Sequence, residues 1–205
     1  MHKKPFLVGI AGGSASGKTY LLNSLLKHFN ETEICLISQD HYYKPMHMQL
    51  VDENGEINFD LPDGIERELL HEDVKSLLEG KSITKQEYTF NVFEQEPRLL
   101  EIKSAPIIVI EGLFIFHFEE LHSKFDYKVF VDADHDIKLN RRLMRDQKER
   151  GYTEDMILYQ WYNHVMPAFD QYLLPYKNQC QFIIHNNDKI DNEIDELSLI
   201  LKKHI

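Results

Sequence analysis

The chain has 205 residues, 42% of them hydrophobic, and a formal net charge of -11. That length suits one α/β domain that buries roughly 70% of the surface of its unfolded chain without a disulfide or metal staple, so residues 1–205 are expected to form a single unit. The acidity excludes a general nucleic-acid surface, since a phosphate backbone needs a basic stripe, and no membrane span is expected because the apolar stretch Ile107–Phe116 is short and interrupted by Glu111.

At the start of the chain, His2, Lys3 and Lys4 precede an apolar stretch too short for a signal peptide. Phe6-Leu7-Val8-Gly9-Ile10 reads as a buried strand and runs into Gly12-Gly13-Ser14-Ala15-Ser16-Gly17-Lys18-Thr19, a G-x-x-x-x-G-K-[ST] phosphate loop. Its glycines let backbone N–H groups curl around phosphates, Lys18 reaches the β and γ oxygens, and the Thr19 hydroxyl can hold Mg²⁺. Leu21, Leu22, Leu25 and Leu26 then repeat at helical spacing, so bound phosphates would face a helix N-terminus. The loop therefore predicts binding of a nucleoside triphosphate. Cys35 and Cys180 lie far apart, without the paired spacings of zinc or redox motifs, and are expected to be reduced thiols in a cytoplasmic protein.

Short apolar runs at Leu7–Ile10, Ile34–Ile37, Ile107–Ile110, Val129–Val131 and Phe182–Ile184 alternate with helical patterns. They predict an α/β fold with a five-stranded parallel sheet covered by helices on both faces. Asp40 follows the second run directly, at a strand's carboxyl end where ligands sit in such sheets, and is the candidate general base; a helix-capping aspartate is the alternative. Leu69, Leu70, Val74, Leu77 and Leu78 mark an amphipathic helix that stops at Gly80. Ser82–Phe90 and Arg98–Ile102 alternate and predict a hairpin over about 82–103 that covers part of the open sheet edge. Glu111 ends an apolar strand, where an unpaired carboxylate would be costly to bury, so Mg²⁺ or its bound water is the expected partner.

Between Lys138 and Arg150 the local charge reverses: Arg141, Arg142, Arg145, Lys148 and Arg150 outnumber Asp146 and Glu149. This helix, capped by Asp134 or Asp136 and ending at Arg150-Gly151, is expected to form a mobile lid over about 138–153. It suits a small polyanion such as ATP; a solvated helix face is the alternative. Arg142 and Arg145 share a face, and lid arginines such as these and Arg150 could stabilise charge on a transferring phosphoryl group. The next helix starts at Thr153 and buries Ile157, Trp161 and Val165 before Pro167 breaks or kinks it.

The phosphate loop is followed in order by Gln39-Asp40-x-x-Tyr43-Lys44, Asn58-Phe59-Asp60-x-Pro62-Asp63, Tyr88-x-Phe90 and Glu111-Gly112. Further on come Val131-Asp132-x-Asp134-x-Asp136, Arg141-Arg142-x-x-Arg145-Asp146-x-x-Glu149-Arg150-Gly151 and Pro167-Ala168-Phe169. Together, over nearly the whole chain, they resemble the uridine kinase (uridine–cytidine kinase) family of P-loop kinases, related to phosphoribulokinase. The resemblance implies a P-loop kinase fold, ATP and Mg²⁺ as cofactors, and transfer to the 5′-hydroxyl of a pyrimidine ribonucleoside to give UMP or CMP. By matching positions it makes Asp40 the base, Tyr43 a neighbour of the transferring group, Asp60 and Arg142 ribose-hydroxyl ligands, and Arg145 and Arg150 phosphate clamps. Tyr88 and Phe90 would flank the nucleobase and Gln160 would be a further substrate contact, although on residue pattern alone Tyr88 and Phe90 also suit a core strand and Asp60 a turn.

Three departures concern the base. Phe93 stands where the family commonly has a histidine, Tyr152 where it has a second arginine, and Thr89 where it has an aspartate. Polar groups that read a base discriminate because rejected analogues leave them unpaired, so base selectivity is expected to fall or move. Ile184-His185-Asn186-Asn187-Asp188 likewise replaces the family's Pro-Arg-Gly stretch near the adenine site, leaving ATP against GTP open. Alternatives are a same-scaffold kinase of nicotinamide riboside, pantothenate or a phosphorylated sugar, and a non-catalytic nucleotide-binding regulator. The expected partners are a small nucleoside and ATP, with no nucleic acid and no membrane, and with room for a homo-oligomer.

Overall fold

In the computed structural model, residues 4–88 and 98–205 are described. The chain runs β1 (Phe6–Gly12), α1 (Lys18–Leu25), β2 (Ile34–Ser38), α2 (Arg67–Leu78), β3 (Ile83–Gln86), β4 (Leu99–Ile102), β5 (Ile107–Gly112) and α3 (Glu119–His122). It continues through β6 (Tyr127–Asp132), α4 (His135–Arg150), α5 (Glu154–Gln160), α6 (Met166–Ala168), α7 (Leu174–Lys177), β7 (Phe182–His185) and α8 (Asp191–Lys202).

Five of these strands form one parallel sheet in the order β2-β5-β1-β6-β7, as the apolar runs predict. Strands hydrophobic on both sides must be covered on both sides. On one face Val8, Ile10, Val109 and Val129 meet Leu21 and Leu25 of α1 and Leu197 and Leu201 of α8. On the other, Leu7, Ile37, Ile108 and Phe130 meet Leu70, Val74 and Leu77 of α2 together with Phe114 and Phe169. Because the chain leaves central β1 toward β2 on one side and later occupies β6 and β7 on the other, its carboxyl end is a switch point. The phosphate loop opens into that crevice.

The hairpin is present as β3 and β4, antiparallel with Ile83 opposite Ile102. Phe90 and Phe93 lie outside the described residues. Thr153 caps α5 as expected, its hydroxyl accepting the Met156 N–H at 3.3 Å. Gly151 ends α4 with φ 68, a left-handed turn suited to glycine.

One local expectation needs correction, and of the two outcomes expected at Pro167 the break is excluded. Asp134 occupies the N-cap position of α4, but its side chain makes no capping bond; the backbone N–H of Asp134 instead donates to Asn187 Oδ1 at 2.8 Å. Pro167 does not break the helix that carries it: helical backbone continues from Glu154 to Lys177, with π-helical turns at Trp161–Val165 and Phe169–Leu173 on either side. A proline interrupts the usual i→i−4 ladder by lacking an N–H, and the wider turns let the run continue past it.

Burial pushes the Cys35 thiol to about 11 and the Cys180 thiol to about 12, so both free cysteines stay protonated. No helix among the described residues is long and apolar enough to cross a membrane.

The end of β6 is locked to the helices around it by Asp132, which binds Lys138 of α4 at 2.8 Å and Lys177 of α7 at 2.7 Å. Burial pushes the Asp132 carboxyl up, but the two ammonium groups outweigh it and hold the carboxyl below its usual range. Lys138 is only 2% exposed, so removing its partner strands a buried charge. Asp132→Ala is expected to lower unfolding free energy by about 3–5 kcal/mol in urea denaturation; a loss below about 1 kcal/mol would show that the pair is dispensable.

Candidate active site

The phosphate loop is shaped by two left-handed residues, Ala15 (φ 59) and Gly17 (φ 97). Alternating handedness turns successive N–H groups inward and makes an anion-binding nest. A Cβ on Gly17 would stand 1.9 Å from Asn186 Nδ2. That amide donates to the Ser16 carbonyl at 2.9 Å, so Asn186, just past β7, props the loop from below. Lys18 folds back onto the loop, Nζ donating to the carbonyls of Gly12 at 2.9 Å and Gly13 at 3.3 Å. Burial lowers its affinity for a proton while the Glu111 and Asp40 carboxylates act the other way.

Those carboxylates come from adjacent strand ends. Ser38 at the end of β2 donates its hydroxyl to Glu111 Oε1 at the end of β5 and accepts the Asp40 N–H at 3.3 Å. Gln39, fully buried beside them, accepts the Phe114 N–H at 2.9 Å and pins the turn that carries Asp40. Burial pushes the Glu111 carboxyl up to about 7, Asp40 adds repulsion, and Lys18 with the Ser38 hydroxyl partly offsets both. Among the described residues no group of three or more His, Cys, Asp or Glu could hold a metal alone. Two carboxylates and the Thr19 hydroxyl around a phosphate loop do fit Mg²⁺, a hard cation that keeps waters and phosphate oxygens in its shell.

Opposite stands the basic helix α4, organised by a residue whose role the charge count hid. Asp146 is fully buried and faces the Nε atoms of Arg142 at 3.3 Å, Arg145 at 2.7 Å and Arg150 at 3.5 Å. Arg142 also donates Nη1 to Ser14 Oγ and Nη2 to Gln160 Oε1, both at 2.9 Å, tying α4 to the phosphate loop and to α5. The helix therefore turns its arginines inward, against the solvated-face alternative. Spacing carried a signal for Asp146, since Arg142 and Arg150 each lie four residues away, one turn up and one turn down.

A cleft of about 310 Å³ joins these parts. Ser14, Ala15, Gly17, Lys18 and Thr19 form one wall; Asp40, Tyr43, Asp60 and Glu111 form the acidic side; Arg142, Arg145, Arg150, Tyr152 and Gln160 form the third. Gly12, Gly13 and Ser16 are buried within the loop. Tyr88 does not line this cleft but packs at 5.5 Å against Tyr43, which also meets the Phe59 ring edge-on at 5.9 Å. Burial raises the Asp60 carboxyl, opposed first by Arg142 and then by His164, Arg150 and Arg145. Arg141 of the basic helix and Phe59 of the Asn58-Phe59-Asp60 motif also line the cleft, as do Ile57, Leu113 and His164, which the sequence reading did not name as site residues. Of the last three only His164 left a pattern, lying four residues after Gln160 on the same helical run.

A family model for the phosphoribulokinase/uridine kinase family matches residues 7–192. A uridine kinase from Anoxybacillus flavithermus is 34% identical over 208 residues, covering 100% of this chain and 99% of that protein. A uridine-cytidine kinase B from Dictyostelium discoideum is 35% identical over 182 residues, 89% of this chain and 75% of that one. Among solved structures, a protein described as a possible uridine kinase from Bacillus stearothermophilus superposes with a TM-score of 0.63 at 18% identity, covering 90% of each chain. The phosphoribulokinase from Rhodobacter spheroides does so at 0.61 and 15% identity, covering 87% of this chain and 69% of that one. These superpositions establish the shared P-loop kinase architecture.

The raised Glu111 carboxyl has a stability signature in the ligand-free protein. A folded-state value of about 7 against an ordinary 4.5 means that the native chain retains a proton the unfolded chain gives up, so stability falls as pH rises across that window. Relative to wild type, Glu111→Gln should gain on the order of 2 kcal/mol at pH ~8, with the gain fading toward pH ~5 in urea titrations. A difference that does not change with pH would show that the carboxyl is not raised.

Proposed function

We propose that this chain, which belongs to the phosphoribulokinase/uridine kinase family, is a nucleoside kinase that transfers the γ-phosphoryl group of ATP to the 5′-hydroxyl of a ribonucleoside. The observation that carries the reading is the facing of Asp40, Glu111 and Lys18 against three arginines across one cleft, which Asp60 lines with Arg142. Phosphoryl transfer needs little covalent help from a protein. It needs positioning and charge neutralisation.

On this reading the inward N–H groups of the loop bind the β-phosphate, and Lys18 exchanges the Gly12 and Gly13 carbonyls for phosphate oxygens. Thr19, Asp40 and Glu111 are the residues that would hold Mg²⁺, which when bound neutralises phosphate charge. Arg145 and Arg150 meet the transferring group, their approach fixed by Asp146. Asp60 accepts hydrogen bonds from the ribose 2′- and 3′-hydroxyls while Arg142 donates to them. Asp40 takes the proton of the 5′-hydroxyl as its oxygen attacks phosphorus, the bond to the β–γ bridging oxygen breaks, and ADP leaves with a nucleoside 5′-monophosphate as co-product. Uridine and cytidine are the acceptors that the relatives' names suggest, giving UMP or CMP. Among the described residues, Ile57, Phe59, Leu113, Tyr43 and Tyr152 give the cleft an apolar and aromatic surface against which a base would stack. Surface of this kind stacks flat rings, which supports a relaxed choice among bases.

ATP consumption over a panel of ribonucleosides, with product identification, tests the reading. At least one nucleoside should stimulate turnover well above the Lys18→Ala background; stimulation by none would overturn it. Asp40→Asn should lower kcat by about 10² or more with little change in the KM for ATP, because it removes the proton acceptor while the phosphate loop, Lys18, Thr19 and Glu111 still hold the nucleotide and its metal. Near-wild-type turnover in that variant would exclude Asp40 as the base.

A further inference from the structure

The loop between Tyr43 and Asp60 carries an acid whose two oxygens do separate jobs. Asp52 Oδ1 accepts the N–H groups of Asn54 and Glu56, each at 2.9 Å, and so shapes a tight turn. Asp52 Oδ2 accepts the Tyr159 hydroxyl at 2.6 Å and pairs with His164 Nε2 at 2.8 Å. The turn is braced by an antiparallel bridge between Val51 and Ile57 and by Asn58 N–H donating to the Leu50 carbonyl at 2.9 Å. It leads into Asn58, whose Oδ1 accepts the Asp60 N–H at 2.9 Å. Hydrogen bonds along this loop thus tie the Asp52 turn to Asp60, which lines the cleft with Arg142.

His164 is the other end of this joint. It is 3% exposed, sits on the π-helical turn Trp161–Val165, and lines the cleft with Asp60 and Gln160. Single wide turns of this kind inside a helix are rare and frequently occur at functional sites. The phenol and the imidazole hold the Asp52 carboxyl well below its usual range, and His164 favours the charged form of Asp60. The same imidazole therefore touches the anchor of the loop and faces the cleft that its working end lines.

We infer that Asp52 and His164, with Tyr159 as a second donor, form a positioning joint that holds Asp60 in register with Arg142 and thereby sets the enzyme's preference for a ribose acceptor. The inference rests on the nucleoside kinase reading. His164 is a positioning residue here, acting through Asp60, and Asp60 is the group that meets the sugar. Rigid attachment of a binding carboxylate matters because a displacement near 1 Å can cost on the order of 10² in rate.

The test compares steady-state kinetics on a ribonucleoside and its 2′-deoxy analogue for wild type, His164→Ala, His164→Gln and Asp52→Asn, with thermal unfolding as a check on folding. His164→Ala and Asp52→Asn should raise the acceptor KM by about tenfold, leave the KM for ATP within about twofold, and erode the ribose-over-deoxyribose preference. His164→Gln retains a donor within reach of Asp52 and should recover most of that preference. Should His164→Ala fail to fold, Asp52→Asn carries the same expectation, since an asparagine oxygen can still shape the turn. Unchanged sugar preference in folded variants of an active enzyme would overturn the joint alone, as would equal changes in the acceptor and ATP constants. A wild-type protein that phosphorylates no nucleoside would instead remove the functional reading and this inference with it.

Discussion

Three guanidinium groups gathered on one helix repel each other, and the geometry of the cleft depends on the buried carboxylate that offsets this. Asp146 lies within salt-bridge distance of Arg142, Arg145 and Arg150 and has no exposure to water. An unpaired acid in that place would be prohibitively costly to bury, and unpaired arginines would turn to solvent. Each therefore requires the other. Arg142 transmits the arrangement outward through Ser14 to the phosphate loop and through Gln160 to α5, so the basic helix is registered against both neighbours by polar contacts.

The acidic half is built by different means. Parallel pairing of β2 with β5 places Ser38 beside Glu111, and the buried Gln39 fixes the turn that carries Asp40. Lys18 lies between two carboxylates and the arginines, bonded for the moment to the carbonyls of its own loop. The cleft thus holds separated opposite charges that have not collapsed onto one another. Walls of opposite sign held apart in this way complement a polyanion with its metal, the ligand class of the proposed reading.

Much of this was legible in the chain. The glycine spacing of the phosphate loop, the five apolar runs, the inward carboxylates at Asp40 and Glu111 and the basic helix all follow from local patterns. Such patterns report on neighbours one or two turns or strand positions away. Where expectation and structure differ, the difference is local: Pro167 lies between π-helical turns without ending the helical run, and the Asp134 side chain makes no capping bond at the start of α4. Tyr88 joined the cleft only indirectly, through Tyr43.

By itself the sequence determined the fold class, the phosphate-loop motif and the identity of the acids and arginines that line the cleft, because each is encoded in spacing within a single element. Tertiary structure alone decided that Asn186 supports the loop from 170 positions away, that Asp52 meets His164 across 112, and that Asp146 is a hub rather than an offsetting charge. Those contacts arise only when the sheet has fixed which strand ends lie together and the helical run has chosen its turns. Side chains that meet across such distances leave no periodic trace in the chain.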